Sequence, residues 1–176
     1  TLVLAGLALV LFAASRPQWG KVTEKAVERS RNVVIAIDVS RSMLAADVRP
    51  NRLERAKADV ADLIDSLAGD RCALVAFRRT GVQICPLTTD RAYLRSALEQ
   101  MTIESAPRGE TDLGSAIRAS LDALDPAADD HNAIIMISDG GDLRGEALAN
   151  AELAKKRGIP IFTVGLGDPR VGAPIP

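Results

Sequence analysis

Two stretches of this chain are apolar at every position. They are Val33-Val34-Ile35-Ala36-Ile37, which ends at Asp38, and Ala133-Ile134-Ile135-Met136-Ile137, which ends at Ser138-Asp139. Runs of this length, rich in β-branched residues and bounded by turn formers, predict strands buried on both faces. Between them the pattern changes period. Leu53, Ala56, Val60, Leu63, Ile64 and Leu67 recur at intervals of three and four, which predicts a helix opening at Asn51 and closing at Gly69. Cys72 to Phe77 and Val82 to Leu87 predict two further strands around the Arg79-Thr80-Gly81 turn. They are close enough in sequence to pair antiparallel, and Pro86 puts the second at a sheet edge.

Asp90 is placed to cap a helix that buries Leu94, Leu98 and Met101, and Gly109-Glu110-Thr111-Asp112 leads into a helix carrying Leu113, Ile117, Leu121 and Leu124. Asp125-Pro126 closes it. A helix from about Glu146 to Arg157 and a last strand, Ile161 to Val164, complete the pattern. Strands alternating with helices of these lengths define a doubly wound α/β fold, its central sheet mostly parallel with one antiparallel edge strand and helices on both faces.

At 176 residues and 47% hydrophobic content the chain is sized for one domain with an appendage. Its net charge of −1 and 3% aromatic content give neither a basic field nor a stacking platform, which excludes nucleic acid as a first choice of partner. Cys72 and Cys85 fall in predicted strands, where a thiol behaves as a small hydrophobe.

Residues 1–15 are uncharged and apolar, short of the roughly 20 needed to cross hydrocarbon, and are expected to be a transmembrane helix truncated at its N-terminus. Arg16 and Trp19 supply the flanking cation and interfacial aromatic of such a span, and a signal-peptide core is the alternative. Residues 16–31 form a juxtamembrane linker, and residues 32–176 the globular domain, expected to be truncated at its C-terminus. The excess of Lys and Arg in the linker points to the cytoplasmic side.

The candidate chemistry lies where the strands stop. In an open α/β sheet ligands bind outside the carboxyl ends of the strands. That edge receives Asp38, Ser40 and Ser42 after the first strand, Thr111 ahead of a helix, and Asp139 after the second apolar strand. These are oxygen donors only, which suits a hard cation such as Mg²⁺, with Mn²⁺ as a substitute. Taken singly, Asp-x-Ser-x-Ser and Thr111 are also what a helix cap requires, and Asp139-Gly140 what a turn requires. Glu110, Asp112 and Asp142 are expected to be solvated or capping acids, His131 a loop residue, and Arg78-Arg79 a solvated hairpin tip.

Together these residues resemble the metal-ion-dependent adhesion site (MIDAS) of von Willebrand factor type A (VWA) domains, which have a Rossmann-like fold. The match covers Asp38-Val39-Ser40-Arg41-Ser42, the threonine of Gly109-Glu110-Thr111-Asp112-Leu113, and Ser138-Asp139-Gly140. The resemblance implies that Ser40, Ser42 and Thr111 bind Mg²⁺ directly, that Asp38 and Asp139 bind it or its waters, and that a partner protein's glutamate or aspartate fills the open position.

Over most of its length the chain also resembles the bacterial membrane-anchored Bat aerotolerance proteins. The resemblance is carried by Ala14-Ser15-Arg16-Pro17-Gln18 after the apolar segment, Arg41-Ser42-Met43-Leu44-Ala45, Pro50-Asn51-Arg52-Leu53-Glu54-Arg55-Ala56-Lys57, Cys85-Pro86-Leu87-Thr88 and Gly172-Ala173-Pro174-Ile175-Pro176. It implies a role in envelope stress or complex assembly, alongside other Bat proteins and a MoxR-type AAA+ ATPase, with the domain on the periplasmic face of the inner membrane. That placement is preferred to the one the linker charges give. The third loop departs from many relatives, having Gly141 where they carry an acid.

No enzymatic activity is expected. A haloacid-dehalogenase-like Mg²⁺ phosphohydrolase needs a second acid two residues after its nucleophile, and that position is Ser40. A dinucleotide site needs a Gly-x-Gly-x-x-Gly turn after the first strand, and the chain has Asp38-Val39-Ser40 there. A metal-independent membrane scaffold is the remaining alternative.

Overall fold

In the computed structural model of the chain, the structure describes residues 5–6, 31–124, 131–140 and 147–167. Five strands form one sheet: β1 (Asn32–Asp38), β2 (Arg71–Phe77), β3 (Gly81–Thr88), β4 (Asn132–Ser138) and β5 (Ile161–Gly165). Their order across the sheet is β3-β2-β1-β4-β5. β1 pairs parallel with β2 and β4, β4 pairs parallel with β5, and β3 runs antiparallel at the edge, as the pattern predicts. Pairing of β2 with β3 is irregular around Leu74 and Cys85, next to Pro86, whose missing N–H an edge strand tolerates.

Among the described residues of the domain, four α-helices, α1 (Arg52–Ser66), α2 (Arg91–Glu99), α3 (Leu113–Asp122) and α4 (Ala147–Lys156), cover the two faces. Alternate residues of β1 point to opposite sides because side chains alternate along a strand. Val33, Ile35 and Ile37 pack with Leu53, Ala56, Val60 and Ile64 of α1 and with Leu94 and Leu98 of α2. Val34 and Ala36 pack with Phe77, Met136 and Ala116, Ile117 and Leu121 of α3. Each caps its own start where a polar side chain stands ready: the Asn51 side chain accepts from the Glu54 N–H, and Asp90 from the Tyr93 N–H.

Cys72 and Cys85 are buried free thiols, and burial pushes Cys72 up to about 11. At the opposite edge from β3, Phe162 and Val164 of β5 are exposed. An open apolar groove of about 620 Å³ runs beside them, lined by Leu113, Ile117, Met136, Leu148 and Val164, with Ser138 and Gly140 on its rim.

The expected transmembrane segment, residues 1–15, and the linker lie almost wholly outside the described residues, as do Asp125-Pro126, Asp142 and the 171–176 tail. Among the described residues no helix is long and apolar enough to cross a membrane.

Candidate metal centre

Asp38 closes β1 opposite Phe77 of β2, and the chain is held there by the Val39 N–H, which donates to the Phe77 carbonyl at 2.9 Å. The Asp38 side chain is fully buried and both of its oxygens are in use. Oδ1 accepts the Ser40 backbone N–H at 2.8 Å, and Oδ2 accepts the Ser138 hydroxyl at 2.7 Å. Burial pushes the Asp38 carboxyl above its ordinary value. The hydrogen bonds from Ser138 and Ser40 oppose that rise, and the neighbouring Asp139 charge adds to it. A buried carboxylate with this balance gains from a cation placed at its spare lone pairs.

Ser40 and Ser42 flank and open a single 3-10 turn, Arg41–Leu44. Val39 and Met43 are fully buried, so the loop is pinned by its apolar residues. Ser40 makes no side-chain capping bond to the turn, and its hydroxyl is instead hydrogen-bonded to the Ser42 hydroxyl, with the two oxygens 2.8 Å apart. Ser40 therefore does not cap this turn, while Asp38 makes the local bond to a backbone N–H that a turn requires. Two adjacent ligands on an octahedral Mg²⁺, at its usual bond length, stand about 2.9 Å apart. The two serine oxygens already have that spacing.

Thr111 reaches the same edge through the end of β2. Arg78 follows Phe77, and its Nε donates to the Gly109 carbonyl at 3.0 Å while its own carbonyl accepts the Asp112 N–H at 2.8 Å. Thr111 is thus held one residue from a clamp on the strand adjacent to Asp38, and it is only 7% exposed. Asp112 is the residue that caps α3, accepting the Ser115 N–H at 2.8 Å. This leaves the Thr111 hydroxyl outside the cap. Arg78 is thus a half-buried clamp and not the solvated tip expected of it, while Arg79 is exposed as expected.

Asp139 follows β4 with its side chain 10% exposed, and its Oδ2 accepts from Arg52 at 2.8 Å. The same guanidinium makes paired bonds to Asp47, at 2.9 Å to Oδ1 and 2.8 Å to Oδ2. Asp47 is not marked by spacing in the sequence, and Arg52 and Ser138 belong to matched segments without a role being legible for either. For Ser138 a signal existed in the β1–β4 register, where Ile37 pairs with Ile137 and so brings the next residues, Asp38 and Ser138, side by side. Glu110 and His131 are exposed, and the His131 carbonyl accepts the Asn32 N–H at 2.9 Å.

All five candidate ligands therefore lie at the carboxyl edge of the parallel strands, Asp38 as the last residue of β1 and Ser40, Ser42, Thr111 and Asp139 in the connections beyond the strands. Among the described residues there is no group of three or more His, Cys, Asp or Glu side chains that could hold a metal. A cation here would rest on hydroxyls as much as on carboxylates. That donor set fits a hard divalent ion and not a thiophilic one.

A doubly wound sheet bearing Asp-x-Ser-x-Ser, Thr and Asp on its carboxyl edge defines a class, and the comparison with known families agrees. The von Willebrand factor type A domain matches residues 33–141, and the chain belongs to that family. Within it, the chain is similar to BatB from Bacteroides thetaiotaomicron. Identity is 35% and the TM-score 0.79, over 84% of this chain and 71% of that one. An aerotolerance-related membrane protein from Bacteroides fragilis gives 34% and 0.79, over 84% and 72%.

A UPF0353 protein of Mycobacterium ulcerans is 31% identical over 189 residues, covering 95% of this chain and 53% of the relative. The chain thus spans about half the length of the curated relatives it matches. The fold alone is shared with a mussel byssus thread matrix protein whose MIDAS motif is zinc-occupied, at 20% identity and a TM-score of 0.68, over 79% of this chain and 36% of that one.

Proposed function

We propose that this domain is a metal-dependent protein-docking module, in which Asp38, Ser40, Ser42, Thr111 and Asp139 hold Mg²⁺ and an acidic side chain of a partner completes the shell. The observation that carries the reading is the pair of serine hydroxyls 2.8 Å apart, uncommitted to capping, beside a buried carboxylate. A bound divalent ion would supply an attachment point for one more anionic oxygen. The chain's residues supply the rest. Three neutral hydroxyls and two carboxylates leave the ion's charge no more than balanced, so a partner's glutamate or aspartate still finds a favourable place.

The similarity to BatB and to an aerotolerance-related membrane protein supports a membrane-associated role in aerotolerance. In this reading the domain serves envelope complex assembly, tethered to the inner membrane on its periplasmic side. Other Bat-family proteins and a MoxR-type ATPase system are the partners this reading favours. Turnover is not part of it. Hydrolytic use of Asp38 would need an acid near its free oxygens, whereas Oδ1 and Oδ2 are bound by Ser40 and Ser138.

Calorimetric titration of the chain with Mg²⁺ and with Mn²⁺ tests the proposal. Saturable binding is expected in the wild type, and its loss in Asp38→Ala with the fold intact by circular dichroism. Absence of metal heat in the wild type sinks the reading. Steady hydrolysis of a small phosphoester by the metal-loaded chain would favour the enzyme instead. Crosslinking in native membranes followed by mass spectrometry identifies the partner.

A further inference from the structure

Arg52 stands in the first turn of α1, the end at which the helix dipole disfavours a cation. Its placement is explained by what surrounds its guanidinium. Nε and Nη2 bind the two oxygens of Asp47, whose side chain is 1% exposed, and Nη1 binds Oδ2 of Asp139 at 2.8 Å. Gly167, just beyond β5, closes the remaining side. Its φ is +125°, and a Cβ there would meet the guanidinium at 3.0 Å. One side chain, itself 15% exposed, thus joins the loop after β1, the loop after β4 and the end of β5.

The charge of Arg52 has a consequence for docking. It bears directly on Asp139, one of the proposed ligands, so it opposes a cation held there and favours an anionic oxygen brought to the same place. We infer that Arg52 is the positioning residue that sets the ligand balance of the site, weakening its hold on the metal ion while enabling the metal-loaded edge to accept an acidic side chain. The inference deepens the docking reading and rests on it.

Opposed shifts in two affinities test it. Mn²⁺ is titrated into the chain, and N-acetylglutamate amide into the Mn²⁺-saturated chain, for wild type, Arg52→Met, Arg52→Lys and Asp47→Asn, with a thermal melt of each. Arg52→Met is expected to bind Mn²⁺ about fivefold or more tightly and the glutamate compound about fivefold or more weakly, since a unit charge a few ångströms away is worth upwards of 1 kcal/mol even when well screened. Asp47→Asn is expected to move both affinities the other way, and Arg52→Lys, which retains the charge but loses the fork that bonds both carboxylates, to fall between wild type and Arg52→Met in both.

Unchanged affinities in Arg52→Met and Asp47→Asn, or both affinities falling together in each, would overturn the inference while leaving the metal site standing. No Mn²⁺ binding by the folded wild type would instead remove the docking reading beneath it. If Arg52→Met does not fold, Arg52→Gln, which keeps a donor for Asp139 without the charge, and Asp47→Asn decide the matter.

Discussion

At the scale of single residues, the site is held by hydrogen bonds that free some hydroxyls by assigning other groups to structural duty. Asp112 is the clearest case. By capping α3 through the Ser115 N–H it leaves the adjacent Thr111 hydroxyl available. Asp112→Ala should therefore cost about 1 kcal/mol in denaturant unfolding, the usual worth of a cap. It should also weaken Mg²⁺ binding by loosening Thr111. Asp112→Asn, which keeps the acceptor, should restore both. Full metal affinity in the alanine variant would show that Thr111 does not depend on this cap.

At the scale of elements, α3 must lie close to β3 for Thr111 to reach the sheet edge, and Gly81 permits it. A Cβ at Gly81 would fall 2.5 Å from Ala119 Cβ and 3.0 Å from the Ser115 carbonyl oxygen, too close for either to be accommodated in place. The Gly81 N–H also donates to Ser115 Oγ at 2.9 Å, tying the start of β3 to the first turn of the helix. Gly81→Ala is expected to push α3 off the sheet at a cost of about 1–3 kcal/mol, the range for overpacking a close contact. The readouts are a lowered urea midpoint and weaker metal binding from the displaced Thr111. An unchanged midpoint would mean that the helix shifts without strain.

At the scale of the whole molecule, charge pairing is distributed to both ends of the sheet. At the amino end of β2, Asp70 accepts the Arg31 backbone N–H at 3.0 Å and bonds the Arg31 guanidinium at 2.8 Å. Burial alone would raise the Asp70 carboxyl, but the bonds and charge of Arg31 outweigh it and hold the group below its ordinary value. A carboxylate depressed in the folded state contributes stability above its unfolded pKa, near 3.8, and loses it as the pH falls through the folded value. Asp70→Asn should therefore lower stability at pH 7, by about 1–2 kcal/mol as a lost charge-assisted bond. The gap between variant and wild type should close below pH 3 in urea unfolding. A gap independent of pH would rule out the ionised pair as its source.

Legibility in the sequence followed the range of the interactions. β1 and β4 could be read from unbroken apolar runs, α1 from its three-and-four spacing, and the edge position of β3 from Pro86, because each signal lies within one element. The gathering of Asp38, Ser40, Ser42, Thr111 and Asp139 at one edge of the sheet was also legible, since they stand at or near strand ends. The sequence by itself thus determined the elements, the two-faced core and the oxygen-bearing side chains of that edge. Tertiary structure alone decided how those donors are held. Ser138 binds Asp38 across 100 positions of chain, Arg52 binds Asp139 across 87, and Arg78 holds Gly109 across 31. No local periodicity encodes such contacts, for they exist only once strand order brings β1, β2 and β4 together and the loops beyond them into one edge.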